Sequence, residues 1–101
     1  GSGVRALRYL LECPGVGAAV ANDASVPAAE AICDNALRSG LRSVDGAAAR
    51  FATTRGASLE VNRGDAIACM HAHAGRFDAV DLDPCGSVAE LLPAAVRCLR
   101  P

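Results

Sequence analysis

Apolar positions recur at helical spacing from Val4 to Glu12. Val4, Leu7, Leu10 and Leu11 share one face, while Arg5, Arg8 and Glu12 face away. Pro14-Gly15 ends this predicted helix. The apolar run Ala18-Ala19-Val20-Ala21 follows, closed by Asn22-Asp23, and its length suits a buried strand of a parallel sheet. Ser25 or Asp23 is placed to cap a second helix with Pro27 in its first turn. That helix carries Ala29, Ile32, Cys33, Ala36 and Leu37 on its apolar face and runs to about Ser39, where Gly40 stops it. Residues 41–57 are small, polar and weakly periodic, which predicts a connection with room for one helical turn. Residues 59–61 read as a strand, followed by Gly64-Asp65 and a short helix through Ile67, Cys69 and Met70. Residues 77–82 read as a third strand. Ser87-Val88-Ala89-Glu90 fits a capping box for a last helix, which Pro93 delays or bends.

Strands and helices therefore alternate, the pattern of an α/β fold with a parallel sheet and helices on both faces. One element is out of place: the chain opens on a glycine-rich turn with no strand before it. The expected unit is a single small domain over residues 1–101, lacking its first strand. Its core is thin, since much of the apolar composition is alanine and the aromatics are only Tyr9, Phe51 and Phe77.

Charge and cysteine content narrow the function classes. A net charge of −1 excludes a global basic field, so an RNA substrate would be gripped mostly from elsewhere. All positive side chains are arginine. The five cysteines, at positions 13, 33, 69, 85 and 98, include no C-x-x-C pair. Neither a disulfide framework nor a zinc knuckle is expected, and free thiols in a reducing compartment are the default. No metal site and no membrane span or signal peptide is read. His71 and His73, at i and i+2 of a helix, point to different faces and make a poor joint ligand set.

The chemistry-bearing residues sit at turns. Gly1-Ser2-Gly3-Val4-Arg5-Ala6 fits G-x-G-x-x-A, in which glycines let the backbone approach a nucleotide and the small third residue lets the helix pack close. About 20 residues on, Asp23 stands at a strand end, where a carboxylate accepts hydrogen bonds from a ribose diol. That pair alone would also suit a nicotinamide-dependent oxidoreductase. Two further acidic turns tilt the choice: Gly64-Asp65-Ala66 and Asp81-Leu82-Asp83-Pro84 each follow a predicted strand. Ligands of open parallel sheets bind outside the carboxyl ends of strands, so three acids there make a nucleoside cradle plus a catalytic carboxylate. The alternative reading of Asp65 is a helix N-cap. Arg5 and Arg8 are candidates for a cofactor carboxylate or an RNA phosphate, or for a solvated helix surface.

The stretches GSGVRALRYLLE (1–12), VANDAS (20–25), Cys33-Asp34-Asn35, Gly64-Asp65-Ala66 and FDAVDLDPCGS (77–87) together resemble the tRNA guanine-26 N2-dimethyltransferase family. The resemblance extends over almost the whole chain. Its most specific piece is Asp81-Leu82-Asp83-Pro84 followed by Gly86-Ser87. It implies an incomplete Rossmann-like class I methyltransferase domain, S-adenosyl-L-methionine as cofactor, and methylation of the exocyclic N2 of guanine 26 in tRNA. It implies that Gly1, Gly3, Arg5, Asp23, Asp65 and Ala66 bind the cofactor and that Asp83 and Pro84 are catalytic. The partners it implies are tRNA and the remainder of a longer methyltransferase chain, without metal or membrane. The implied location is intracellular, in nucleus, cytoplasm or mitochondrion. The sequence departs from the family in one place: Cys85 stands where an aromatic residue usually follows the Asp-Pro pair. Cys85 and the missing strand keep open an alternative, a non-catalytic fragment or pseudoenzyme of the same fold that at most contributes to cofactor or RNA binding.

Overall fold

A computed structural model describes residues 3–44, 49–82 and 87–101. The chain divides into two compact units, Gly1–Arg63 and Gly64–Pro101. The first begins with helix α1, Val4–Glu12, in the predicted bounds. Leu7 and Leu10 are buried, whereas Val4 and Leu11 at the margins of the apolar face are 54% and 50% exposed. Strand β1, Ala18–Asp23, follows as expected. Helix α2, Val26–Arg38, is capped by Ser25, whose Oγ accepts the Ala28 N–H at 3.4 Å, with Pro27 in its first turn. Its other end is a Schellman motif. Gly40, at φ +91°, donates its N–H to the Leu37 carbonyl, and the Leu41 N–H reaches back to Ala36. Leu41 is buried as a result, so the stop signal also delivers an apolar side chain to the core.

The segment 41–57 is not the loosely helical connection its weak periodicity suggests. It holds strands β2, Arg42–Ser43, and β3, Arg50–Ala52, which pair antiparallel with each other, and β3 pairs antiparallel with β4, Ser58–Arg63. The β3–β4 connection is a five-residue loop, 53–57, with Gly56 left-handed at φ +89°. Buried Thr53 closes it: its Oγ1 and backbone both bond Ala57. Within the four-stranded sheet of described residues β1 and β4 pair parallel, and the order is β1-β4-β3-β2, a mixed sheet with β1 at one edge. The α/β class stands, with the expected parallel pairing at β1–β4 and an antiparallel extension through β3 and β2: short elements such as β2 show too little alternation to be read from sequence. Ala19, Ala21, Phe51, Leu59 and Val61 meet Leu7, Leu10, Ala29, Ile32 and Ala36 in one core.

The second unit holds helices α3, Ala66–Ala72, and α4, Leu92–Cys98. Its core is Met70, Ala94, Ala95 and Cys98, with Ile67, Phe77, Val80, Leu82 and Leu91 packed on it. The expected strand over 77–82 is reduced to a bridge, Phe77 with Leu99. Val80 and Leu82 keep their apolar role, while the strand pairing among the described residues is the bridge at Phe77. The last helix starts at Leu92 instead of near Ser87. A helix begun earlier would drive the Pro93 ring against the carbonyl four residues back, whereas in the first turn that proline costs nothing. Ser87 instead bonds the Ala89 N–H in a local turn.

Candidate functional site

Gly3 is the N-cap of α1 and left-handed, at φ +76°. A Cβ built on it would lie 2.7 Å from Ile32 Cγ2 of α2. Both facts demand glycine: the conformation disfavours a side chain, and the space is taken by a buried branched residue. The glycine turn thus fixes the start of α1 against α2. Arg5 lies on the exposed side of the first turn. Arg8 is committed elsewhere, pairing with Glu12 at 2.9 Å on the helix surface.

Asp23 is the last residue of β1. Side chains alternate along a strand, and Ala19 and Ala21 point into the core beneath α1 and α2, so Asp23 belongs to that same face. Its Oδ1 accepts the Ser25 N–H at 2.9 Å, an Asx turn that orients the carboxylate at the strand end.

On the opposite face, one residue earlier, Asn62 Nδ2 donates to Asn22 Oδ1 at 2.7 Å. The two asparagines are also register partners across the parallel β1–β4 pair. Sequence reading passed over this pair, although each asparagine directly precedes the residue that ends its strand.

Asp65 caps α3, with Oδ2 accepting the Ala68 N–H at 3.0 Å. A carboxylate has about four lone-pair positions, so capping uses only part of its acceptor capacity. Ala66 is the first residue of that helix, where the backbone N–H has no partner within the helix. Gly1, Asp83, Pro84 and Cys85 lie outside the described residues.

Arg55, in the β3–β4 loop, was missed altogether. Its guanidinium donates to four carbonyls: Leu10 at 2.6 Å, Val16 at 2.7 Å, Pro14 at 3.2 Å and Cys13 at 3.3 Å. One side chain thereby satisfies the last turn of α1, complements its dipole and holds the link into β1. The only sequence cue was Gly56 three residues after Thr53, a hairpin-loop signal.

The remaining candidates have local roles. His73 closes α3, with its Nδ1 2.8 Å from the Cys69 carbonyl and its ring stacked on Phe77 at 5.0 Å. Burial, reinforced by Asp34 and Glu30, pushes the Cys33 thiol above its ordinary value, which disfavours the thiolate. Cys13, Cys33, Cys69 and Cys98 are free thiols. Among the described residues there is no cluster of three or more metal-ligating side chains, and no helix is long and apolar enough to cross a membrane.

Comparison with known proteins adds three kinds of likeness. The family model described as N2,N2-dimethylguanosine tRNA methyltransferase matches residues 1–101. Curated relatives named tRNA (guanine(26)-N(2))-dimethyltransferase include one from Methanothermobacter thermautotrophicus, 38% identical over 99% of this chain. Those from Caenorhabditis elegans and Homo sapiens are 38% and 35% identical over 97% of it. The chain spans only 22%, 16% and 13% of these three relatives. A solved structure of Trm1 from Pyrococcus horikoshii with S-adenosyl-L-methionine superimposes with a TM-score of 0.81 at 30% identity, covering 98% of this chain and 26% of that one.

Proposed function

The chain belongs to the N2,N2-dimethylguanosine tRNA methyltransferase family, and from that premise we propose that it forms part of an enzyme that methylates the N2 of guanine 26 in tRNA with S-adenosyl-L-methionine. The observation that carries the cofactor half is the Gly3 turn with Asp23. A left-handed glycine with no room for a Cβ opens α1, and a carboxylate oriented by an Asx turn ends β1 on the α1 side of the sheet. These features fit a nucleoside ligand, which needs backbone approach at the helix start and an acceptor for its ribose diol.

When bound, the cofactor supplies a methyl group on a sulfonium. The chain's residues do the rest. Gly1 and Gly3 give backbone access, Arg5 meets the amino-acid carboxylate, and Asp23 accepts from the ribose hydroxyls. Asp65 accepts from the adenine amine, with the Ala66 N–H beside it. Asp83 accepts an N–H of the guanine amine, helped by the Pro84 carbonyl. That localises a lone pair otherwise delocalised into the ring, and Asp83 holds the proton released on transfer. Holding the guanine amine against the bound cofactor would supply much of the rate. A stacked base leaves its stack first. The tRNA is gripped chiefly by other parts of the polypeptide, as the near-neutral charge requires, and the setting is intracellular.

Cys85 favours a second reading, in which the fold binds cofactor or RNA without catalysis. Calorimetric titration of the complete polypeptide with S-adenosylmethionine, S-adenosylhomocysteine and NAD, combined with a methylation assay on tRNA, tests both. Binding of the first two with transfer to guanine 26 is expected. Binding without transfer selects the second reading, and binding of NAD alone overturns both. Asp83→Ala is expected to abolish transfer while cofactor binding persists.

A further inference from the structure

We infer that the Asn22–Asn62 amide pair is a positioning element for Asp23, and so sets how tightly the cofactor's ribose is held. The inference rests on the cofactor reading above. β1 is an edge strand of the sheet of described residues, so its carboxyl end is tied laterally from one side only, through β4. Asn22 and Asn62 are opposite each other in the next-to-last register position, and Asp23 follows at the last. Strand ends are where a ladder frays, because no further rung supports the final residue. The 2.7 Å amide bond supplies a cross-strand tie on the face opposite the core, and it is partly buried. It anchors the residue whose main chain leads directly into the Asp23 Asx turn. Neither asparagine is needed for the core, since the core-facing residues of these strand ends are Ala21 and Val61.

The bond has a direction, which separates positioning from mere packing. Asn62 is the donor and Asn22 the acceptor. Asn22→Asp retains an oxygen facing the Asn62 N–H. Asn62→Leu removes the donor, and no rotation of the Asn22 amide restores the bond. Leucine is close to asparagine in size, so Asn62→Leu removes the bond without emptying the site, whereas Asn22→Asp keeps the bond while adding a charge beside Asp23.

The test is calorimetric binding of S-adenosylmethionine to the complete polypeptide carrying each substitution, with KM, kcat and thermal midpoint measured in parallel. Asn62→Leu is expected to weaken cofactor binding at least fivefold more than Asn22→Asp does. Its KM for the cofactor rises far more than its kcat falls. Equal effects, or a larger effect of Asn22→Asp, overturn the inference, as does a loss of kcat and thermal midpoint with KM unaltered. An unsubstituted protein that fails to bind S-adenosylmethionine overturns the cofactor reading itself and this inference with it. Binding by the parent together with indistinguishable variants removes the inference alone.

Discussion

A single missing carbon at Gly3 decides whether α1 can sit where it does. Gly3→Ala places a Cβ 2.7 Å from Ile32 Cγ2 at a backbone φ of +76°. Strain of that kind costs about 1–3 kcal/mol, and chemical denaturation should show it as a lowered midpoint with the slope unchanged. Asp23→Ala tests a different property. The side chain is at a strand end outside the core, so stability should move little. Loss of charge-assisted hydrogen bonds worth about 1.5–3 kcal/mol should weaken S-adenosylmethionine binding by roughly one to two powers of ten. Unaltered cofactor affinity would remove Asp23 from the site. Both residues were legible in the sequence because their chemistry is local: a glycine that opens a helix, and an acid that ends an apolar run. Asp65 was legible as one of two things, and the capping bond to Ala68 is the part the structure adds. The Asn22–Asn62 pair could not be read, since it depends on a register that joins positions 40 residues apart.

Elements with strong local signals matched their expected bounds, and those defined by partners did not. α1 and α2 carry helical periodicity together with a stop or a cap, and their observed ends lie within a residue or two of the expected ones. β2 and β3 are two and three residues long, too short for alternation to register. The stretch 77–82 has the composition of a strand, but among the described residues its ladder is a single bridge at Phe77, because composition cannot supply a neighbour. Arg55 shows what the overlooked hairpin contributes. It joins the β3–β4 loop to the end of α1 through four carbonyls. Arg55→Met keeps most of the side-chain length and removes every one of those bonds. The charged hydrogen bonds suggest a loss of about 2 kcal/mol. The thermal midpoint of the complete polypeptide should fall accordingly, and Arg55→Lys should recover only part of it, since one ammonium cannot span the same fork. A midpoint unmoved by Arg55→Met would show that water replaces the guanidinium without loss.

Across the whole chain, the apolar surface left open limits what these 101 residues can do by themselves. In the first unit Val4, Leu11 and Leu37 are half exposed, and β1 presents a sheet edge. In the second, Leu92 and Val96 are 48% and 67% exposed on a helix of seven residues. Open strand edges and apolar helix faces promote association, and small alanine-rich cores offset little chain entropy. The isolated segment is therefore expected to aggregate or to melt without a cooperative transition in circular dichroism. A sharp, reversible melt from a monomer would show that the two small cores suffice. The second unit nevertheless has a backbone tie between distant segments that does not depend on apolar area. The backbone bonds Gly75 to Arg97, Phe77 to Cys98 and Arg100 to Phe77 run in sequence along the Phe77–Leu99 bridge. None of the three can open far without disturbing the next. Their amide protons should therefore trade for deuterium at one common rate, slower than those of the neighbouring turn at residues 87–90, so that the unit breathes by parting a zipper before either of its helices unwinds.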